Sequence, residues 1–285
     1  MKTLVSALAL AASLSAAPAL AQSTPGDVTA WIKSADQAYA EQTVAAGRAE
    51  WVYETYINED TEFLTAQEGG KQTKLQVANA LAAAKAAQVP GLDKDTQRQL
   101  TMFRTQITSP ASTQPGAAEE VARLIAEMQG IYGKGKGTLG GQPINGSDIE
   151  AAMGTSRNPE ELKEMWASWH DNVGRPIKAD YEKAAALMNQ GAKELGFADT
   201  GALWRSNYDM DPDAFAALTE KIWNEVKPLY NQLHCYTRTK LNQKYGDTVQ
   251  ARTGPIRADL LGNMWSQEWG NIYDVVAPKG SGNVG

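Results

Sequence analysis

Apolar residues recur along most of this chain at the three- and four-residue intervals of a helix face. The first run joins Val28, Trp31, Ile32, Ala35 and Tyr39, with Asp27 placed to cap it, and continues through Trp51, Tyr53 and Tyr56 as one long helix. Further helices are expected over Lys71 to Gln88, over Asp93 to Ile107, and over Ala117 to Met128. Thr108 to Gly116, TSPASTQPG, has the composition of a loop. The glycine-rich stretch from Gly130 to Gly146 reads as a surface connection. Its GxGxG follows a helix rather than a strand and no GKS or GKT accompanies it, which argues against a phosphate cradle.

Asn158-Pro159, Asp199 and Asp211-Pro212 carry local helix-start signals, a capping side chain and in two cases a proline at the first helical position. Gly174-Arg175-Pro176 is expected to open a separate helix that closes at Gly196. Asp211 begins the longest helix, with Phe215, Leu218, Ile222, Val226, Leu229 and Leu233 as an apolar stripe and Pro228 as a kink. Gly254 to Pro278 is also read as helical, because Asn263, Gln267 and Asn271 recur every four residues and so share a face with Trp265 and Trp269 nearby. Such amides either orient a ligand while the indoles exclude water, or bond neighbouring backbone inside a core. Alternation typical of strands is missing, and Ile131-Tyr132 and Val275-Val276 are expected to form edge pieces at most. The expected fold is all-α, with about ten helices and no internal repeat.

Composition adds the compartment. Lys2, an apolar run from Leu4 to Leu20 and Ala19-Leu20-Ala21 stand in the order of a secretory signal, so the mature chain is expected to start at Gln22. Pro18 interrupts the run, and about 20 uninterrupted apolar residues are needed to span a bilayer, so no membrane span is expected. The alanine-rich leader points to a bacterial periplasm, a secreted or periplasmic location. Residues 279–285 have the composition of a disordered tail. The net charge of −6 is spread along the chain, without the basic patch that nucleic acid requires. Cys235 is the only cysteine, so no internal disulfide is possible, and a buried thiol is expected.

Several segments resemble the angiotensin-converting-enzyme family of zinc peptidyl-dipeptidases. They are AEWVYETYI at residues 49–57, the WRSxY core at Trp204 to Tyr208, PLYNQLHCY at residues 228–236, and KYG at residues 244–246. The densest is GPI, LLGNMW, Gln267 and NIYD between residues 254 and 274. The resemblance implies a helical ellipsoid with an N-terminal lid over a deep cleft. It implies a zinc cofactor and removal of C-terminal dipeptides from oligopeptides. Gln267 would then grip the C-terminal carboxylate of the peptide substrate, and Tyr208 would contribute to a chloride site.

The family's HExxH motif, two histidines one turn apart with a glutamate base, is not in this sequence. His170 and His234 stand in separate helices without a second histidine at the right spacing. No catalytic or metal-ligating residue is therefore assigned in this chain, and the zinc ligands are absent from it. Trp169-His170-Asp171 also replaces the WRD of animal relatives, so the arginine that the resemblance would supply to a first chloride site is not at that position.

Two readings follow. In one, residues 22–278 are the N-terminal portion of a peptidyl-dipeptidase domain whose partner is the missing C-terminal half. In the other, the chain is a non-catalytic secreted helical module that binds peptides or another protein. Burial of Trp166, Trp169, Trp265 and Trp269 within this chain alone would favour the second.

Overall fold

The computed structural model describes residues 23–278 and 280. The expected signal peptide lies outside them, as does the expected tail except for Gly280. Pro25 has no N–H to leave unpaired, and its fixed φ suits the first helical position. The chain therefore enters α1 (Pro25–Thr55) with Thr24, not Asp27, as the cap. Asp27 is the third residue of a capping box: its Oδ2 accepts from Thr24 N–H at 2.8 Å, and its own N–H donates to Thr24 Oγ1 at 3.3 Å.

Helix α2 (Glu59–Ala86) starts twelve residues before the expected Lys71, because Asn58 caps it and Glu59, Asp60 and Glu62 suit its positive end. Helices α3 (Lys94–Thr105) and α4 (Ala117–Lys134) complete the first layer. Val28 and Ile32 of α1, Ala83 and Ala86 of α2 and Leu100 of α3 share one core, with Trp31 and Phe103 packed at its edge.

The glycine stretch is a hairpin rather than a plain connection. Strand β1 (Lys136–Leu139) pairs antiparallel with β2 (Gln142–Asn145) in the register Leu139 to Gln142. The tight turn needs two left-handed residues, supplied by Gly140 (φ 59°) and Gly141 (φ 74°). Glu164 accepts both turn N–H groups, at 3.0 and 2.8 Å, so the backbone donors that a phosphate would need are already taken. Those bonds, Gly141's above all, hold the Glu164 carboxyl below its ordinary range. Ile131 and Tyr132, read as an edge piece, belong to α4, and Val275 and Val276 belong to α10 (Tyr273–Val276).

Asn145 caps α5 (Gly146–Thr155), and Asn158 caps α6 (Pro159–Trp169). The break expected at Gly174-Arg175-Pro176 does not occur. The chain stays helical through a π turn, His170–Gly174, into α7 (Arg175–Glu194), with Arg175 N–H bonded to His170 C=O. Asp199 caps α8 (Thr200–Arg205), and Asp211 caps α9 (Pro212–Tyr245), which runs through Pro228 without interruption. The fold is all-α apart from the hairpin, and among the described residues no helix is long and apolar enough to cross a membrane. Its largest core gathers Ile149 and Met153 of α5, Leu162, Met165 and Trp169 of α6, and Leu241 of α9 around Leu260, Leu261, Met264 and Ile272.

Beyond Phe215, which is half-buried, the long stripe on α9 is unpacked. Leu229 is 72% exposed, Ile222 49% and Val226 48%, and Leu218 and Leu233 are also exposed. Only Thr237 and Leu241 of this helix are buried. Cys235 is exposed as well, contrary to the buried thiol expected, since it falls on a side of α9 that its neighbours His234 and Thr237 do not share.

Glu120 ties α4 to α7. It accepts from Arg123 at 2.9 and 3.0 Å and from Lys183, and these two cations, Arg123 first, hold its carboxyl at about 2. A carboxyl lowered from 4.5 on folding stabilises the protein above that pH and loses its contribution as the pH falls toward 2. Glu120→Gln should therefore unfold more easily than wild type at neutral pH, and the difference should shrink through that window in urea melts. A difference that stays constant with pH would contradict this.

Candidate functional site: the Gln267 loop and its supports

The segment from Gly254 to Pro278 is a stapled loop, not the helix expected. Two short 3₁₀ turns, Ala258–Leu260 and Gly270–Ile272, bracket an irregular stretch. Gly262 (φ 92°) and Ser266 (φ 57°) take left-handed conformations that no α-helix admits, so the four-residue amide spacing does not put those side chains on one face. Each amide has its own task instead. Buried Asn263 accepts from Trp265 N–H at 3.0 Å, and Asn271 donates to Gly262 C=O at 3.0 Å. Ser266 Oγ donates to Ala258 C=O at 2.8 Å, and Trp269 Nε1 donates to Ser266 C=O at 3.1 Å. Gln267 is left exposed at the tip.

Both indoles beside Gln267 are anchored. Trp265 stacks on Tyr132 of α4 with centroids 6.3 Å apart and stands edge-on to His170 at 6.2 Å. Trp269 meets Tyr230 and His234 of α9 at 6.4 and 6.5 Å. Gln267 therefore sits on a bridge between the π turn on one side and the exposed face of α9 on the other. Trp169 is buried, Trp166 and Trp269 are half-buried, and Trp265 is 42% exposed. The four tryptophans are thus not all covered by this chain, so the burial that would favour the free-standing module is not seen.

The base of the loop is a polar knot. Buried Gln250 accepts from Arg257 N–H at 2.9 Å and donates to Pro255 C=O at 3.2 Å. Arg257 in turn grips buried Asp259 at 2.5 and 3.1 Å and Pro159 C=O at 3.1 Å. Arg157 clamps the other end, bonding Asn271 C=O at 2.5 Å and the Asp274 carboxylate at 2.7 Å, which holds Asp274 below its ordinary range. Tyr132, Arg157, Gln250 and the Arg257–Asp259 pair are functional supports that periodicity missed. Tyr132 and Arg157 reach the loop from more than a hundred residues away, Gln250 lies just before it, and Arg257 and Asp259 were visible as opposite charges two residues apart.

Tyr208 lies elsewhere, after α8. Its ring stacks on Phe215 at 4.1 Å, and it is 57% exposed. No hydrogen bond or ring contact joins it to Gln267. The neighbouring Arg98–Asp209 ion pair, at 2.8 Å, ties this turn to α3.

The two histidines are engaged separately. His170 Nδ1 lies 2.7 Å from Trp166 C=O, and its ring stacks on that indole at 4.0 Å. His234 Nδ1 lies 3.4 Å from Arg238 Nη1. Among the described residues no three His, Cys, Asp or Glu side chains group closely enough to hold a metal ion. The residues present do not fit a zinc centre.

The family profile described as angiotensin-converting enzyme, peptidase M2, matches residues 23–284. Angiotensin-converting enzyme of Mesocricetus auratus is 34% identical over 259 residues, 86% of this chain and 19% of that protein. The Rattus norvegicus enzyme is 36% identical over 236 residues, 81% of this chain and 17% of its own length. The Haematobia irritans exigua enzyme is 42% identical over 132 residues, 46% of this chain and 21% of its own. The match thus spans about a fifth of the length of these relatives or less. On the profile match, which covers all of the described residues, the chain belongs to the angiotensin-converting enzyme family of M2 peptidases.

Proposed function

We propose that this chain is the substrate-positioning portion of a secreted zinc peptidyl-dipeptidase, with Gln267 gripping the C-terminal carboxylate of an oligopeptide. The observation that carries the reading is the presentation of Gln267. Its side chain is exposed, yet the backbone on both sides is fixed by Trp265, Ser266 and Trp269. A fixed amide can hold one end of a peptide without searching for it, which is how positioning lowers a barrier. Peptide-bond cleavage and zinc binding belong to further polypeptide of the same enzyme. The uncovered face of α9 supports that assignment, since isolated soluble domains rarely leave so long an apolar stripe open. Tyr208, whose ring is exposed, is the proposed chloride contact. Export follows from the leader, and N-terminal sequencing of the mature protein should begin at Gln22.

The test uses the full-length enzyme and a blocked tripeptide. An amide donor to a carboxylate contributes roughly 1–2 kcal/mol, so Gln267→Ala should weaken kcat/KM by about 5- to 30-fold. The loss should vanish when the substrate's terminal carboxyl is amidated. Equal losses on acid and amide substrates would show that Gln267 does not hold that carboxylate.

A further inference from the structure

Five apolar residues of α9 stand at intervals of four, three, four and three: Ile222, Val226, Leu229, Leu233 and Tyr236. All five are open to water. At about 100° per residue they fall within an arc of roughly 80°, a seam nearly parallel to the helix axis. Pro228 lies about 200° round from Val226, on the far side of the helix, so its ring leaves the seam free.

The seam ends where packing begins. Toward the N-terminus Phe215 is half-buried and stacks on Tyr208. Toward the C-terminus Tyr236 Oη donates to Val276 C=O of α10 at 2.9 Å, and Thr237 and Leu241 are buried. The open stretch is therefore continuous with an interface that α9 already makes. One flank is engaged as well. Trp223 and Tyr230 stand edge to face with centroids 5.5 Å apart, and Tyr230 meets Trp269 of the Gln267 loop. What is left bare is a narrow strip from Ile222 to Leu233, about 17 Å long.

This alternation of three and four is the spacing at which side chains of one helix enter the holes of another. A strand presents every second residue to one face and does not match it. We infer that a single amphipathic helix lies along the strip, within about 20° of the α9 axis. It carries its own apolar residues at alternating intervals of three and four, over at least three turns. The inference rests on the proposal that further polypeptide of the enzyme covers α9, and it gives that polypeptide a form. The curated relatives supply the length for such a segment, since the match takes up about a fifth of them or less.

Photo-crosslinking of the full-length enzyme tests it. A diazirine analogue of leucine is placed singly at positions 222, 226, 229 and 233. The analogue nearly conserves volume, so each substituted enzyme should melt like the unsubstituted one. On irradiation all four positions should cross-link to one segment beyond residue 285, at targets three or four residues apart. Targets two residues apart, or scattered over several segments, would overturn the helix and leave the covering polypeptide standing. Cross-links joining α9 to α9 of a second copy would overturn it and assign the strip to a dimer. Reaction with water alone would overturn both the helix and the proposal beneath it.

Discussion

Asp259→Ala should destabilise the protein by about 3 kcal/mol, toward the low end of what is lost when one partner of a buried ion pair is removed. Asp259 is nearly enclosed, with its side chain 8% exposed, and Arg257 beside it is 27% exposed. The carboxylate holds the Arg257 guanidinium above its ordinary range. Without it, Arg257 keeps Pro159 C=O as a partner but loses its counter-charge. Asp259→Asn retains an acceptor and should cost less than half as much. Urea unfolding of both variants measures the difference. A loss below about 1 kcal/mol for the alanine variant would place the pair among solvated surface bridges. The effect should also reach function, because Arg257 bonds the Gln250 that ties the base of the Gln267 loop.

The second large effect depends on what surrounds α9. Val226→Asp with Leu229→Asp should leave the thermal stability of the 285-residue chain nearly unchanged, since both positions are already open to water. The same pair in the full-length enzyme should abolish assembly and activity. Burying each of those side chains is worth roughly 1.5–3 kcal/mol, and a carboxylate enclosed without a partner adds a desolvation cost. Thermal melts of the two forms side by side decide the matter. Equal tolerance in both would mean that nothing covers this face of α9, and the proposal of further polypeptide over it would fail.

Much of the architecture was legible because its signals are local. Asn158, Asp199 and Asp211 cap the helices they were expected to cap, since a capping side chain acts on backbone only two or three residues away. The failures have the opposite character. Asn263, Gln267 and Asn271 imitate a helix face, and only the left-handed Gly262 and Ser266 reveal the loop; Ser266 in that conformation has no signature in composition. The hairpin has four-residue strands without alternation, so its two turn glycines were its sole mark. Periodicity marked Gln267 only as one of three amides, and its role at the substrate carboxylate came from family resemblance. Its supports were hidden because Tyr132 and Arg157 meet the loop across more than a hundred residues, where no spacing rule applies.

The π turn between α6 and α7 has a consequence for chain length. An i to i+5 bond, as from Arg175 to His170, encloses one more residue than an α-helical turn does. The surplus is absorbed inside a continuous rod, so the buried faces of the two helices keep their relative phase. Deleting a single residue between His170 and Gly174 should therefore yield an ordinary α turn with both faces still directed at the core. The same deletion in the body of α7 would rotate everything on one side of it by about 100°. Ala184 and Ala192 would then leave the interior. The rod thus contains its own site for insertions and deletions, in the middle of an element where they are ordinarily ruinous.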